Sequence, residues 1–500
     1  MSRAVHKVMG TETEFGIAVR GRRAYDGVAA SSLAVAAYAG ASQIRWSYEE
    51  ETPGRDARGF GPSGTEPDLG MLNTVLGNGA RLYVDHAHPE YSTPECFDAL
   101  EAALYDKAGE LIMARAAAAV AAEAGESLLV YKNNSDGKGN SYGAHENYLM
   151  ARSVPFEQIV AHLTCFLVTR QVLAGAGKVG SENGRPPVSY QISQRADFFE
   201  AEVGLETTIR RPIINTRDEP HADPAAYRRL HVIIGDANLS EPQTFLKLGS
   251  TALVLASLEE GALGRPLALD NPVEALWRIS HDPTLRCPVR LAGGRRATAL
   301  DLQAEYLERV AARTAREGAA PVEQRLLRLW EQALADLERD PLSTAGYLDW
   351  TAKLALLEGY RRRDRLPWDH PKLRLLDLQY HDVDPGRSLY RRLEAAGRLQ
   401  RLFDDAQVEQ AVGEPPERTR AYFRGRCVAK YGPAVVAANW DSMVLEAGRE
   451  ALQRVPMMDP LRGGRESVED LIDGCPSVAH LVRALGGMNG RTGTQAPSAG

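Results

Sequence analysis

The sequence predicts an α+β fold: a curved, mainly antiparallel sheet with helices covering its far side. Three observations carry that expectation. Two stretches in the first hundred residues alternate with period two, setting acids on one face and apolar side chains on the other. Long Ala- and Leu-rich segments at helical spacing alternate with such strands instead of standing apart from them. No internal repeat and no sustained heptad is present, which excludes a solenoid or a filament.

The first strand spans residues 8–19, where Glu12 and Glu14 share a face and Gly10 and Gly16 remove bulk at either end. Like charges so placed repel each other. They are tolerable in solvent, on an edge strand guarded by charge, or around a hard cation. Residues 29–41 form a short Ala-rich helix, and Pro, Gly and mixed charge make 50–70 a loop. The next strand, 80–85, places Arg81, Tyr83 and Asp85 on one face and Leu82 and Val84 on the other. His86-Ala87-His88-Pro89 interrupts the alternation, because proline cannot donate to a ladder, and Glu90 follows. An exposed polar face is the plain explanation. Two carboxylates, a phenol and a guanidinium in register also suit a metal-bound phosphate.

Residues 97–124 read as a long helix, 127–132 as a strand, and 133–140 as a glycine-bearing turn. The strand 141–150 sets His145 and Asn147 on one face and Glu146 on the other, and 155–175 is an amphipathic helix. Guanidinium groups cluster at 210–217. A buried strand over 227–238 is then entered through a basic end, able to meet phosphates, an acidic partner or solvent. Most of 250–353 is helical, 359–365 is a basic helix end, and 375–382 returns to the sheet. Turn-rich 413–418 marks a boundary, giving a catalytic domain at 1–418, a small C-terminal domain at 419–485 and a disordered tail at 486–500. The strand 435–441 carries Trp440, either core or a platform for a base.

The 500 residues are 44% apolar, enough for a substantial core, and the net charge of −7 gives no sign of a nucleic-acid partner. Cys96, Cys165, Cys287, Cys427 and Cys475 lack metal-site spacing and suit a reducing cytoplasm. With no apolar run long enough to span a bilayer, a soluble protein with no membrane partner is expected.

Three motifs are similar to those of the Pup ligase and deamidase family: Gly10-Thr11-Glu12-Thr13-Glu14-Phe15-Gly16, the run from Asn78 through Asp85 to Ser92, and the run from Ser141 through His145 to Tyr148. The resemblance spans nearly the whole chain. It implies a glutamine-synthetase-like sheet cradling ATP and Mg²⁺, with Pup and pupylated proteins as partners. Metal ligation falls to Glu12, Tyr83, Glu90 and His145. Arg81, Thr93, Arg217, Arg229 and Trp440 become the nucleotide contacts, and Asp85 the catalytic nucleophile or base. Residues 45–60 resemble a loop of the deamidase branch, here short. That favours deamidation of the C-terminal glutamine of Pup and hydrolysis of the Pup–lysine isopeptide bond, with Pup–protein ligation as the alternative.

Overall fold

Ten strands form one sheet in the computed structural model, which describes residues 4–39, 44–48, 55–58, 72–448 and 452–489. In chain order they are β1 (Met9–Glu14), β2 (Arg45–Trp46), β3 (Asn73–Val75), β4 (Arg81–Asp85), β5 (His88–Ser92), β6 (Ala144–Ala151), β7 (Tyr227–Val232), β8 (Val435–Ala438), β9 (Ser442–Glu446) and β10 (Leu452–Pro456). Across the sheet the order is β7-β6-β1-β5-β4-β3-β2-β8-β9-β10. Every pairing is antiparallel except that of β2 with β8. The α+β class and the mainly antiparallel sheet are as the sequence predicts.

Register decides which side chains meet, because residues opposite each other in a ladder project from the same face. Glu12 lies opposite Ser92 on β5 and opposite His145 on β6, while Glu14 lies opposite Glu90. Tyr83 is opposite Glu90 and Asp85 opposite His88 on β4 and β5. On β7, His231 is opposite Asn147. Every one of these polar groups therefore leaves the same face of the sheet.

The other face is apolar. Leu82, Val84 and Tyr91 pack with Ala34 and Val35 of the helix Gly27–Ala39 and with Ile112 and Met113 of the helix Ala99–Glu123. Asp98 caps the longer helix by accepting from Leu100 N and Glu101 N. A Cβ on Gly109 would collide with the Tyr91 ring, so glycine lets this helix lie close on β5. Further along, Tyr148 and Leu230 pack with the helices Phe156–Ala174 and Glu241–Glu259. Glu146, pointing to this face, is buried and accepts from Arg170 at 2.7 and 2.8 Å, which ties the first of those helices to the sheet.

The structure differs from expectation in several places; the strands expected over 227–238 and 435–441 end at Val232 and Ala438, which leaves Trp440 beyond its strand. The strand expected over 8–19 breaks at Phe15, whose N–H donates to Pro89 O at 2.9 Å, and Gly16–Val19 pairs with Leu128–Tyr131 in a separate two-stranded sheet. Residues 375–382 do not return to the sheet. Pro371–Tyr380 is a helix, with proline in its first turn, where a missing N–H costs nothing, and Leu373, Leu376 and Tyr380 buried at helical spacing.

The strands β8, β9 and β10 extend the sheet, and a core beside them joins Phe423, Cys427, Met443, Leu445 and Ile472 to Trp46 and Val75. The helix Val478–Asn489 passes the expected start of the tail at 486, and 490–500 lie outside the described residues, as does most of the 50–70 loop. Among the described residues no helix is long and apolar enough to cross a membrane.

Candidate active site

Two groups of ligand-bearing side chains adjoin on the polar face of the sheet. Glu12, His145 and His231 each bring one donor atom within 4.8 Å of the others, and so do Glu14, Asp85 and Glu90. Glu12 and Glu14, two positions apart on β1, belong one to each group. The ligand set drawn from the sequence, Glu12, Tyr83, Glu90 and His145, is thus spread over both.

Around Glu12 the hydrogen bonds are specific. Asn147 Nδ2 donates to its Oε1 at 2.8 Å, His145 Nδ1 lies 3.4 Å from its Oε2, and Arg229 Nη1 lies 3.6 Å from Oε1. Burial works to raise the Glu12 pKa, but the His145 contact and the charges of His231 and Arg229 hold it well below the ordinary carboxylate value. His231 is a buried member of the group that the sequence motifs did not single out. Its Nδ1 meets Asn147 Oδ1 at 2.9 Å, while its Nε2 is buried with no hydrogen-bond partner among the described residues. The signal was there: His231 sits two residues from Arg229 and so shares its face.

The second group is acid upon acid. Burial, then the charges of Asp85, Glu14 and Glu12, push Glu90 well above the usual carboxylate range, and Glu14 is raised by burial and by Asp85. Asp85 goes the other way. Burial opposes its charge, but His86 Nδ1 at 3.0 Å, with His145 and Arg81 beyond, lowers its pKa. His86 is in turn raised to about 9 by that hydrogen bond and holds a left-handed backbone at φ 53°, in the tight turn that brings Glu90 back beside Tyr83. Asp85 is therefore the one acid of the three whose pKa is lowered, the other two being raised.

A hard divalent cation fits this chemistry. Three carboxylates close together offer the oxygen donors it prefers, and Glu12, His145 and His231 form a second group of possible ligands. Tyr83 is held protonated by burial and by Glu90, which leaves it a neutral phenol beside the acids.

Two clefts open from the acid belt. The first, about 550 Å³, is lined by Glu12, Thr93, His221, Arg229 and Trp440. Thr93 Oγ1 accepts from Thr11 N at 2.9 Å and stands 2.8 Å from where a Cβ on Gly10 would be, so only glycine fits there. Trp440 meets Trp46 edge-on at 5.1 Å, with Arg424 over its ring at 5.0 Å. Beneath them Arg420 and Arg424 bind Glu95 and hold its pKa down at about 2, although burial alone would raise it.

The second cleft, about 1300 Å³, is lined by Glu14, Asp85, His86, His145, Arg195 and Arg211. Arg81 and Arg217 line neither cleft. Arg81 stacks on Trp46 at 4.1 Å and on Tyr83 at 3.9 Å and donates to Asn73 Oδ1 at 3.0 Å. Arg217 lies near enough to His231 to join burial in lowering that histidine's pKa. Arg195 and His221 are site residues that the sequence did not mark as candidates, and Arg211 belongs to the guanidinium cluster noted at 210–217.

A sheet that gathers acids between two clefts defines an enzyme rather than a scaffold. The chain belongs to the Pup-ligase protein family, whose model matches residues 7–444. It is 56% identical to the depupylase of Acidothermus cellulolyticus over 97% of this chain and 100% of that one. It is 50% identical to the Pup deamidase/depupylase of Mycolicibacterium smegmatis over 96% and 100%. Among solved structures, the ligase PafA in complex with Pup superposes with a TM-score of 0.80 at 32% identity over 99% of this chain and 98% of that one. PafA in complex with ADP gives 0.73 at 36% identity over 80% and 90%.

Proposed function

We propose that this chain removes the side-chain amide from the C-terminal glutamine of Pup and hydrolyses the isopeptide bond joining Pup to lysine on pupylated proteins. The observation that carries the chemistry is Asp85, an ionised carboxylate that opens into the larger cleft beside two acids of raised pKa. An amide resists hydrolysis, so its carbonyl needs an activated oxygen close by. Asp85 supplies it, by direct attack or by drawing a proton from water. Both roles require the charged form that His86 maintains. Full-length identity to relatives named depupylase and Pup deamidase/depupylase supports hydrolysis over ligation.

The first cleft takes the nucleotide in this scheme; the ADP complex of PafA supports nucleotide binding as such. Trp440 stacks on the base, while Thr93 and Arg229 hold the sugar and phosphates; Arg81 and Arg217, expected from the sequence as nucleotide contacts, stand outside that cleft. Glu12, Glu90 and His145 hold Mg²⁺ beside Tyr83, with Glu14 and His231 added by geometry. The bound cation supplies positive charge that keeps the acids ionised and fixes the phosphates. Residues 1–418 act as the catalytic domain, and 419–485, as a small C-terminal domain, close the nucleotide cleft with Arg420 and Trp440. Five cysteines without a disulfide suit a cytoplasmic enzyme.

The test is incubation with Mg-ATP and Pup ending in glutamine, followed by mass spectrometry. Conversion of the terminal amide to an acid is expected. Stable attachment of Pup to added protein lysines, without amide loss, would instead make the chain a ligase.

A further inference from the structure

The geometry points to Arg195 and Arg211 as a subsite for the free α-carboxylate of the substrate's C-terminal residue, a few bonds from the glutamyl carbonyl that Asp85 attacks. This rests on the proposed hydrolysis of glutamyl amides and deepens it.

Both guanidinium groups line the cleft that Asp85 opens into. Arg195 is almost fully buried, at 1% exposure, where a lone positive charge is costly. Its bonds go to neutral groups: Nε donates to Ser141 Oγ at 3.3 Å, and Nη1 to Gly235 O at 3.3 Å and to Ile233 O. Arg211 Nε donates to Thr207 O at 2.9 Å and Nη2 to Ser141 O at 2.7 Å. Among the described residues neither arginine forms an ion pair with a carboxylate, although Glu200 lines the same cleft. Nη2 of Arg195 and Nη1 of Arg211 are left without a hydrogen bond there. Ser141 touches both side chains and fixes them side by side.

Two fixed, unneutralised guanidinium groups at a cleft wall make an anion site. The charge of Arg211 is felt by Glu14 and His86, and that of Arg195 by Glu14, so the site lies within reach of the acid group. An α-carboxylate is the anion common to both proposed substrates. A C-terminal glutamine has one, and a C-terminal glutamyl joined to lysine through its side chain keeps one. Glutamine inside a chain has none, so the pair would confine cleavage to the last residue.

The test compares Pup ending in glutamine with a free α-carboxylate and the same Pup with its α-carboxyl converted to carboxamide, on wild type, Arg211→Ala and Arg211→Lys. Wild type is expected to lose roughly 10- to 100-fold in kcat/KM on the carboxamide. Arg211→Ala should lose a comparable factor on the free acid and show little further loss on the carboxamide, with part of the preference restored in Arg211→Lys. Titrating the two Pup forms against each protein reads the same preference as affinity, whether or not turnover occurs.

Equal handling of both forms by wild type, or an undiminished preference in Arg211→Ala, overturns the assignment. If the pair serves a phosphate, Arg211→Ala will weaken inhibition by inorganic phosphate while wild type treats both Pup forms alike, and that also overturns it. Failure of wild type to turn over either form, with the binding preference intact, removes the proposed hydrolysis and leaves the carboxylate site standing.

Discussion

The two clefts share a strand and differ in kind. Glu12 turns toward a small cleft with an aromatic wall closed by Trp440, while Glu14, two residues on, turns toward a wide polar one holding Asp85, His86 and three arginines, Arg195, Arg210 and Arg211. In the first, acids meet cations of this chain: Glu12 lies by Arg229, and Glu95 by Arg420 and Arg424. In the second, acids stand against acids, and Arg195 and Arg211 form no ion pair among the described residues. The difference teaches where charge is to be completed from outside. A pre-neutralised cleft suits a ligand that is held, and an unbalanced one suits a cation and a substrate that bring the missing charges.

The sharpest way to break this division is Asp85→Asn. Removal of Pup from conjugates should fall by about 10³-fold or more, with nucleotide affinity changed less than about threefold; turnover and nucleotide titration are measured on the same preparation. A parallel fall in both would merge the clefts into one function.

Acid separates them next. The depressed Glu95 pKa means that its ion pairs contribute fully above the ordinary value of 4.5, and that this stability is lost as pH falls from 4.5 toward about 2. Denaturant melts across that window should show up to about 3 kcal/mol depending on Glu95, and Glu95→Gln should flatten the slope.

Trp440→Ala should weaken nucleotide binding by about tenfold while sparing the affinity for Pup, as read by titration of each. The smallest effect is expected at Glu90. Replacing a carboxylate that burial and its neighbours push toward the protonated form should raise the cation-free Tm of Glu90→Gln by about 2 °C. It should also abolish the rise that Mg²⁺ gives the wild type, both followed by thermal melting.

The period-two pattern made the faces legible. Arg81, Tyr83 and Asp85 do share a face, as do Glu12 with Glu14 and His145 with Asn147, because strand geometry fixes side-chain direction locally. The same rule applied to 227–232 would have found His231 beside Arg229. The helix Pro371–Tyr380 departs from the expected strand because its proline stands in the first turn, where it starts a helix instead of ending one.

By itself the sequence determined the α+β class, which side of each strand is chemical, and the long acid-bearing motifs that mark the family, since these depend on neighbours along the chain. Only the tertiary structure decided that Glu14 faces Glu90 across β1 and β5, that Glu12 joins the histidines of β6 and β7 instead, and that Arg195 and Arg211 arrive beside Asp85. Register and the approach of distant segments are set by the packing of the whole apolar face, which no local pattern encodes.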